Sequence, residues 1–326
     1  MFLGNPMMMR KLASGPNIAN LFATTLYTGS GSSQTINTGL NMLANEGVTW
    51  IKRRDASGDH HLFDNLRGDN VALKSNTSDA NSGGSGLWSA ASNGFSLANN
   101  ATDISGATYA SWNFLSFTRF FDVVTWSGNN SNRTISHSLA TEPGLIIVKR
   151  RDSVGDWLVY HRSLANTDYL ALNSTAGTAT DAALWNSTSA TTSVFSLGTN
   201  VDVNGFAGAY VAYLFAHDTA SDGVVQCGSY TGNGSVTGPT ISLGWQPQWL
   251  MIKRTDSTAS WVIMDSVRGQ LGSDDYYLHA NSLGAESYAS HTRVDYLSTG
   301  FQLRGTNGQT NASGGTYVYL AIRAAA

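Results

Sequence analysis

The stretch Trp50-Ile51-Lys52-Arg53-Arg54-Asp55 returns twice, as Ile147-Val148-Lys149-Arg150-Arg151-Asp152 and as Met251-Ile252-Lys253-Arg254-Thr255-Asp256. Each copy stands at the exit of an apolar run: Val48 to Ile51, Leu145 to Val148, Trp249 to Ile252. The three lysines are 97 and 104 residues apart, too far for a solenoid repeat of about 20–50 residues and right for a small domain. Four consecutive apolar residues between turn signals read as a strand covered on both faces. The basic residues then mark where that strand surfaces. Lys52, Asp55, Lys149, Asp152, Lys253 and Asp256 are thus repeat-defining structural residues at an ion-paired hairpin end, and such surface pairs contribute little stability each.

Landmarks on either side of the phrase recur in the same order. Leu26-Tyr27-Thr28-Gly29, Thr125-Trp126-Ser127-Gly128 and Ser229-Tyr230-Thr231-Gly232 open the three copies. After the phrase, a polar turn leads into Leu62-Phe63, Trp157 to Tyr160, and Trp261 to Met264, which is a hairpin signature. Leu73-Lys74-Ser75-Asn76 is echoed by Leu170-Ala171-Leu172-Asn173 and Leu278-His279-Ala280-Asn281, and Phe95, Phe195 and Phe301 follow the phrase lysine by 43, 46 and 48 residues. Length differences therefore fall in loops. A Gly-led aromatic strand closes each copy, with Tyr109 and Trp112, Tyr210 and Tyr213, or Tyr317 and Tyr319. Six or seven strands per copy is the count of a β-sandwich. The expected fold is all-β: three tandem antiparallel, jelly-roll-like β-sandwich units, residues 22–121, 122–222 and 223–326, behind an N-terminal arm of residues 1–21. The best helix candidate is Ala285 to Leu297.

Composition fits this reading. Of 326 residues only 13% are charged, the formal net charge is -3, and 34 are glycine. Short strands with tight turns use such a mixture, and nothing in it suggests an electrostatic grip on nucleic acid or an anionic membrane. Cys227 is the only cysteine, which excludes a disulfide framework and a thiolate-rich metal site and points to folding in a reducing cytoplasm. Gly4 and Pro6 interrupt the first apolar residues, so a secretory signal is not expected, and no run approaches the roughly 18 apolar residues of a membrane span. Met7, Met8 and Met9, with Leu21 and Phe22, are either an unattached terminus or a particle-docking segment, since adaptable Met side chains suit a surface buried against a partner.

No catalytic, cofactor-binding or metal constellation emerges. Asp64 with Arg67, mirrored by Asp265 with Arg268, has the spacing of a turn closed by an Asp side chain. His60 and His61 would point to opposite faces of a strand and so would not share a metal. Only Asp55, Asp152 and Asp256 recur in all three copies as potential acids, where a turn explains them. Trp88, Trp157, Trp185, Trp245 and Trp261 read as core.

The series Tyr-Thr-Gly, apolar-Lys-Arg-x-Asp, Asp-x-x-Arg-Gly, Leu-x-x-Asn, Phe-x-Leu, Asn-x-Ser-Gly-x-x-Tyr resembles the repeat domain found in structural and tail-fibre-like proteins of tailed bacteriophages. The resemblance covers residues 22 to 326. Two copies depart from it: Trp112-Asn113-Phe114 replaces the aliphatic closing strand in the first, and the second reads Tyr160-His161-Arg162-Ser163-Leu164 in place of Asp-x-x-Arg-Gly. The resemblance implies a virion component made in the host bacterial cytoplasm, non-enzymatic, with no cofactor. It would contact other virion proteins and a host surface glycan as a tail-fibre or receptor-binding protein, as a homotrimer. The alternatives are a capsid decoration or head-fibre protein and a tailspike-like glycan depolymerase.

Overall fold

The computed structural model describes residues 15–84, 86–98, 101–269, 276–288 and 294–325. Each repeat forms one six-stranded antiparallel sheet, with the strands in the same spatial order every time. The opening strand (Phe22–Thr28, Phe121–Ser127, Val225–Thr231) lies at one edge and pairs with the closing strand (Thr108–Leu115, Ala209–Ala216, Thr316–Arg323). Next come the phrase strand (Gly47–Arg53, Pro143–Arg150, Pro247–Arg254) and its hairpin partner, here the return strand (His60–Asp64, Trp157–His161, Val262–Asp265). The Leu-x-x-Asn strand (Val71–Lys74, Asp168–Ala171, Tyr276–His279) and a two-residue edge complete the sheet. A smaller sheet joins Gln34–Asn37 to Gly94–Leu97, Arg133–Ser136 to Val194–Leu197, and Thr237–Ser242 to Gly300–Arg304.

Strand register decides which side chains share a face. Lys52 stands opposite Ala110 and His60, Trp50 opposite Trp112 and Leu62, and Val48 opposite Phe114 and Asp64. Because side chains alternate along a strand, these residues all project from one face. The other face meets the small sheet through Tyr27 and Phe95, Trp126 and Phe195, and Tyr319 and Phe301, with ring centroids 6.2, 5.8 and 5.3 Å apart.

The face carrying Lys52 is closed to water except at the edge strand, where Leu26 is 38% exposed. It packs on the matching faces of the other two repeats, and the three together enclose one core. Phe114 lies 5.4 Å from Phe215 and 6.0 Å from Trp249, Phe121 lies 4.9 Å from Phe215, and Phe22 lies 6.4 Å from Trp249. Each ring that leaves water there contributes about 4–6 kcal/mol as an upper estimate. A repeat taken alone would expose this whole face, so the repeats are parts of one body.

Two expectations change. Leu21 and Phe22 are buried, together with Ile18, because the turn Ile18–Asn20, capped by Asn17, leads them onto the shared core. They are not available for particle docking, and the arm is shorter than residues 1–21. The expected helix over Ala285 to Leu297 instead contains strands Ser287–Tyr288 and Val294–Leu297. The α-helix found among the described residues is the single turn Val201–Asn204, with Asn200 as its cap. No helix among the described residues is long and apolar enough to cross a membrane.

Candidate functional site

The phrase lysines are fully buried, contrary to the expectation that they mark a surfacing strand. Each donates only to carbonyl oxygens. Lys52 Nζ reaches Gly58 O at 2.9 Å and Leu283 O at 3.1 Å. Lys149 Nζ reaches Gly155 O at 2.9 Å and Ser78 O at 3.1 Å, and Lys253 Nζ reaches Ala259 O at 2.9 Å and Thr175 O at 3.1 Å. In each case one acceptor is the lysine's own hairpin and another belongs to a neighbouring repeat, and Lys253 also reaches Arg254 O at 2.9 Å. Burial pulls each lysine down to about 8.

Two backbone bonds flank every lysine in the same way. Gly58 N donates to Leu283 O and Glu286 N to Arg54 O, Gly155 N to Ser78 O and Asn81 N to Arg151 O, and Ala259 N to Thr175 O and Thr178 N to Thr255 O. The first repeat thus leans on the third, the second on the first, and the third on the second. Three equivalent joints close a ring.

Further side chains cross the joints. Trp157 Nε1 donates to Lys74 O at 2.8 Å and Trp261 Nε1 to Ala171 O at 2.9 Å. His60 holds the equivalent place in the first repeat, and its Nδ1 accepts from Trp50 Nε1 at 2.9 Å. Burial keeps His60 well below the usual histidine range, opposed by the His279 carbonyl that corresponds to Lys74 O and Ala171 O. Asp64 accepts from Arg67 Nε at 2.5 Å and from Tyr213 Oη of the second repeat at 2.7 Å. Asp265 accepts from Arg268 Nε at 2.6 Å and from Trp112 Nε1 of the first repeat at 2.9 Å.

The third closing strand has Leu320 where the others have Trp112 and Tyr213, so it brings no side-chain donor. Its neighbour correspondingly has His161 rather than Asp, and His161 Nε2 bonds to the Tyr319 carbonyl at 3.2 Å. His161 and Leu320 are thus the two sides of one contact, while Trp112 and Asp265 form the corresponding contact between the first and third repeats.

The aspartates of the phrase do a different job. Asp55, Asp152 and Asp256 are partly exposed and pair within their own hairpins with Arg53, Arg150 and Arg254, each at 2.9 Å. Asp55 and Asp256 also accept from Thr108 N and Thr316 N at 3.1 Å. Replacing Trp261 with Phe removes its bond to the Ala171 carbonyl, which keeps a 3.3 Å bond from Ser174 N, and should lower stability by about 0.5–1.5 kcal/mol in urea unfolding. Arg254→Ala should stay below about 1 kcal/mol, because its ion pair is solvated.

Open concave surface lies where the first and second repeats meet. A groove of about 550 Å³ runs between the edge strands Phe121–Ser127 and Arg133–Ser136, lined by residues 122–126 and 133–138 with Glu46 and Leu66. A hollow of about 270 Å³ continues from it past Glu46, Asp122 and Ser138 to Phe117 and Thr118. These volumes lie near or within the range of small-ligand sites. The buried Asp122 carboxylate accepts from Val123 N at 3.0 Å and Ser138 N at 2.6 Å, and burial raises its pKa. His137 Nδ1 accepts from Leu139 N, its Nε2 faces Thr191 O, and burial lowers its pKa. Both Asp122 oxygens are thus engaged by backbone, while Glu46 is an exposed carboxylate at the mouth. The groove offers hydrogen-bonding edges and two charges without an ion pair among the described residues, Glu46 and Arg133, an arrangement for binding.

Sequence reading did not find this place, because Glu46 and Asp122 come from different repeats and only the packing brings them to one groove. The available signal was Asp122 itself, a charge at a strand position held by Ala23 and Gln226 in the other copies. Met7, Met8 and Met9 lie outside the described residues. Among the described residues no three His, Cys, Asp or Glu side chains group as metal ligands would.

Comparison with curated proteins gives no match. A family model described as a domain of unknown function, DUF7483, matches residues 17–325 in one span that runs through all three repeats. The chain belongs to the DUF7483 family.

Proposed function

We propose that this chain is a bacteriophage virion structural protein that works by non-covalent binding at the host surface, as a tail-fibre or receptor-binding component. Its three repeats are read as β-sandwich units fused into one pseudo-threefold body. One observation carries the binding reading. The charged residues that recur in every repeat are engaged in joints and hairpins, which leaves the non-recurring loops and the Glu46 groove to face other molecules. Variable loops on a rigid scaffold are a common basis of recognition, and the resemblance to phage tail-fibre-like proteins supplies the setting. Assembly as a homotrimer would multiply weak contacts with a surface glycan.

Imaging of intact particles with a labelled antibody against this chain tests the assignment. Label at the distal tail is the expected result, and label over the capsid would replace the fibre reading with decoration. Purified protein should also compete with particles for adsorption without releasing fragments from host glycans. Fragment release abolished by Glu46→Gln would overturn the binding reading in favour of hydrolysis, since Glu46 and Asp122 line one hollow.

A further inference from the structure

The groove beside residues 122–126 and 133–138 is bounded on both sides by backbone. Among the described residues, Phe121–Ser127 pairs with Ala209–Ala216 and, at its first residue, with Phe117, while Arg133–Ser136 pairs only with Val194–Leu197, so both are edge strands. Hydrogen bonds fix which groups point outward. Val123 N and Ser138 N donate to the two Asp122 oxygens rather than into their sheets, whereas His137 N bonds to Ser193 O at 2.9 Å. Alternation along antiparallel strands then directs the N–H and C=O groups of Thr125, Thr134 and Ser136 into the groove. Asp122 ties the two edges together at one end, and Arg133 Nη1, donating to Ser127 O at 2.9 Å, ties them at the other. Buried Trp126 and Ile135 lie along its floor, and exposed Glu46, which forms no ion pair among the described residues, stands at its mouth.

Open strand edges invite another strand and are commonly covered. We propose that residues 1–14 of this chain fill the slot as an added strand. Residue 15 already stands beside the way in. Gly15 packs against Asp222, where a Cβ would lie 2.0 Å from the carboxylate oxygen. Asp222 pairs with Arg119 at 2.6 Å, and Arg119 N donates at 2.7 Å to Leu139 O, next to Ser138 of the slot. Fourteen residues extend up to about 46 Å, ample for this path. The sequence suits the lining: Met7, Met8 and Met9 give adaptable apolar contact for the floor, and Arg10 and Lys11 bring positive charge to Glu46. Tethering gives the segment an effective concentration in the millimolar range, so each chain fills its own slot ahead of a second copy. The Met-rich arm docks on its own body, whichever virion position the protein takes.

Cysteine cross-linking in the full chain tests this. Met9→Cys is combined either with Thr134→Cys in the slot or with Val236→Cys, an exposed site on the third repeat; the native Cys227 is buried. Mild oxidation should form an intramolecular disulfide at position 134 at least about tenfold faster than at 236, and Glu46→Lys should slow it. Amide exchange on the unmodified chain gives an independent reading, with Thr125, Thr134 and Ser136 protected. Equal rates at the two sites, cross-links formed only between copies, or fast exchange at those three amides would overturn the proposal.

Discussion

Asp64→Ala is expected to lower the unfolding free energy of the whole body by about 3–5 kcal/mol, the usual penalty for leaving a buried charge without its partner. The side chains of Asp64 and Arg67 are both fully inaccessible. Arg67 also donates to Leu62 O, Val71 O and Asn81, so it cannot swing out to water without breaking these bonds as well. The same substitution leaves Tyr213 Oη of the second repeat without its acceptor. Asp64→Asn keeps an oxygen in place and should cost less. Because the damaged contact spans two repeats of a closed ring, one transition should shift as a unit, with the urea midpoint falling and the slope unchanged. Tryptophan fluorescence can follow it, with nine indoles in the chain. Two resolved transitions, or a loss below about 1 kcal/mol, would contradict the closed ring.

What the sequence showed and what it hid divide along the range of the interaction concerned. The phrase strands, the hairpins after them and the Phe and closing strands were legible, because turn residues and apolar runs report on their own neighbourhood. The burial of Lys52, Lys149 and Lys253 was not. Lysine is among the residues least often buried, and what covers these three are the loops near Leu283, Ser78 and Thr175 of other repeats. Trp112 and His161 looked like unrelated departures from the repeat pattern. Only the packing shows that Trp112 donates to Asp265, and that His161 meets a backbone carbonyl beside Leu320. Ala285 to Leu297 misled for a related reason: its composition carries no clear period, and pairing of Val294–Leu297 with Gly300–Arg304 settles its state as strand. The groove required both Glu46 and Asp122, and nothing local in either repeat announces the other.

Acidification from about pH 6.5 to 4 should unfold the protein far more readily than its exposed carboxylates would suggest. His60, His61, His137, His161, His217 and His279 are all held below the ordinary value of 6.5, burial being the largest cause in each. Geometry gives the same direction independently. Nδ1 accepts an N–H in four of them, from Trp50 Nε1 to His60, Leu139 N to His137, Ser163 N to His161 and Cys227 N to His217. A proton added at Nδ1 would set donor against donor. A depressed folded pKa means that the stability is fully present above 6.5 and is lost as pH falls. His61 and His161, both lowered to about 4, account for about 3 kcal/mol each over that window, against a typical total of about 5–15 kcal/mol. Asp55 and Asp256, lowered from 3.8 to about 2 by their arginine partners, begin to give up their contribution only as pH falls through about 4. The alkaline side has the opposite slope at first. The three phrase lysines fall from 10.5 to about 8 in the folded chain, so stability rises as pH climbs from about 8 toward 10. Beyond that, burial holds the Cys227 thiol and the Tyr27, Tyr213 and Tyr230 hydroxyls protonated, and stability declines as the unfolded chain ionises. Thermal melts at half-unit steps from pH 4 to 10.5 should therefore peak between about pH 8 and 10. Melting temperatures that stay level from pH 7 to 4 would mean that the joints and their histidines are open to water.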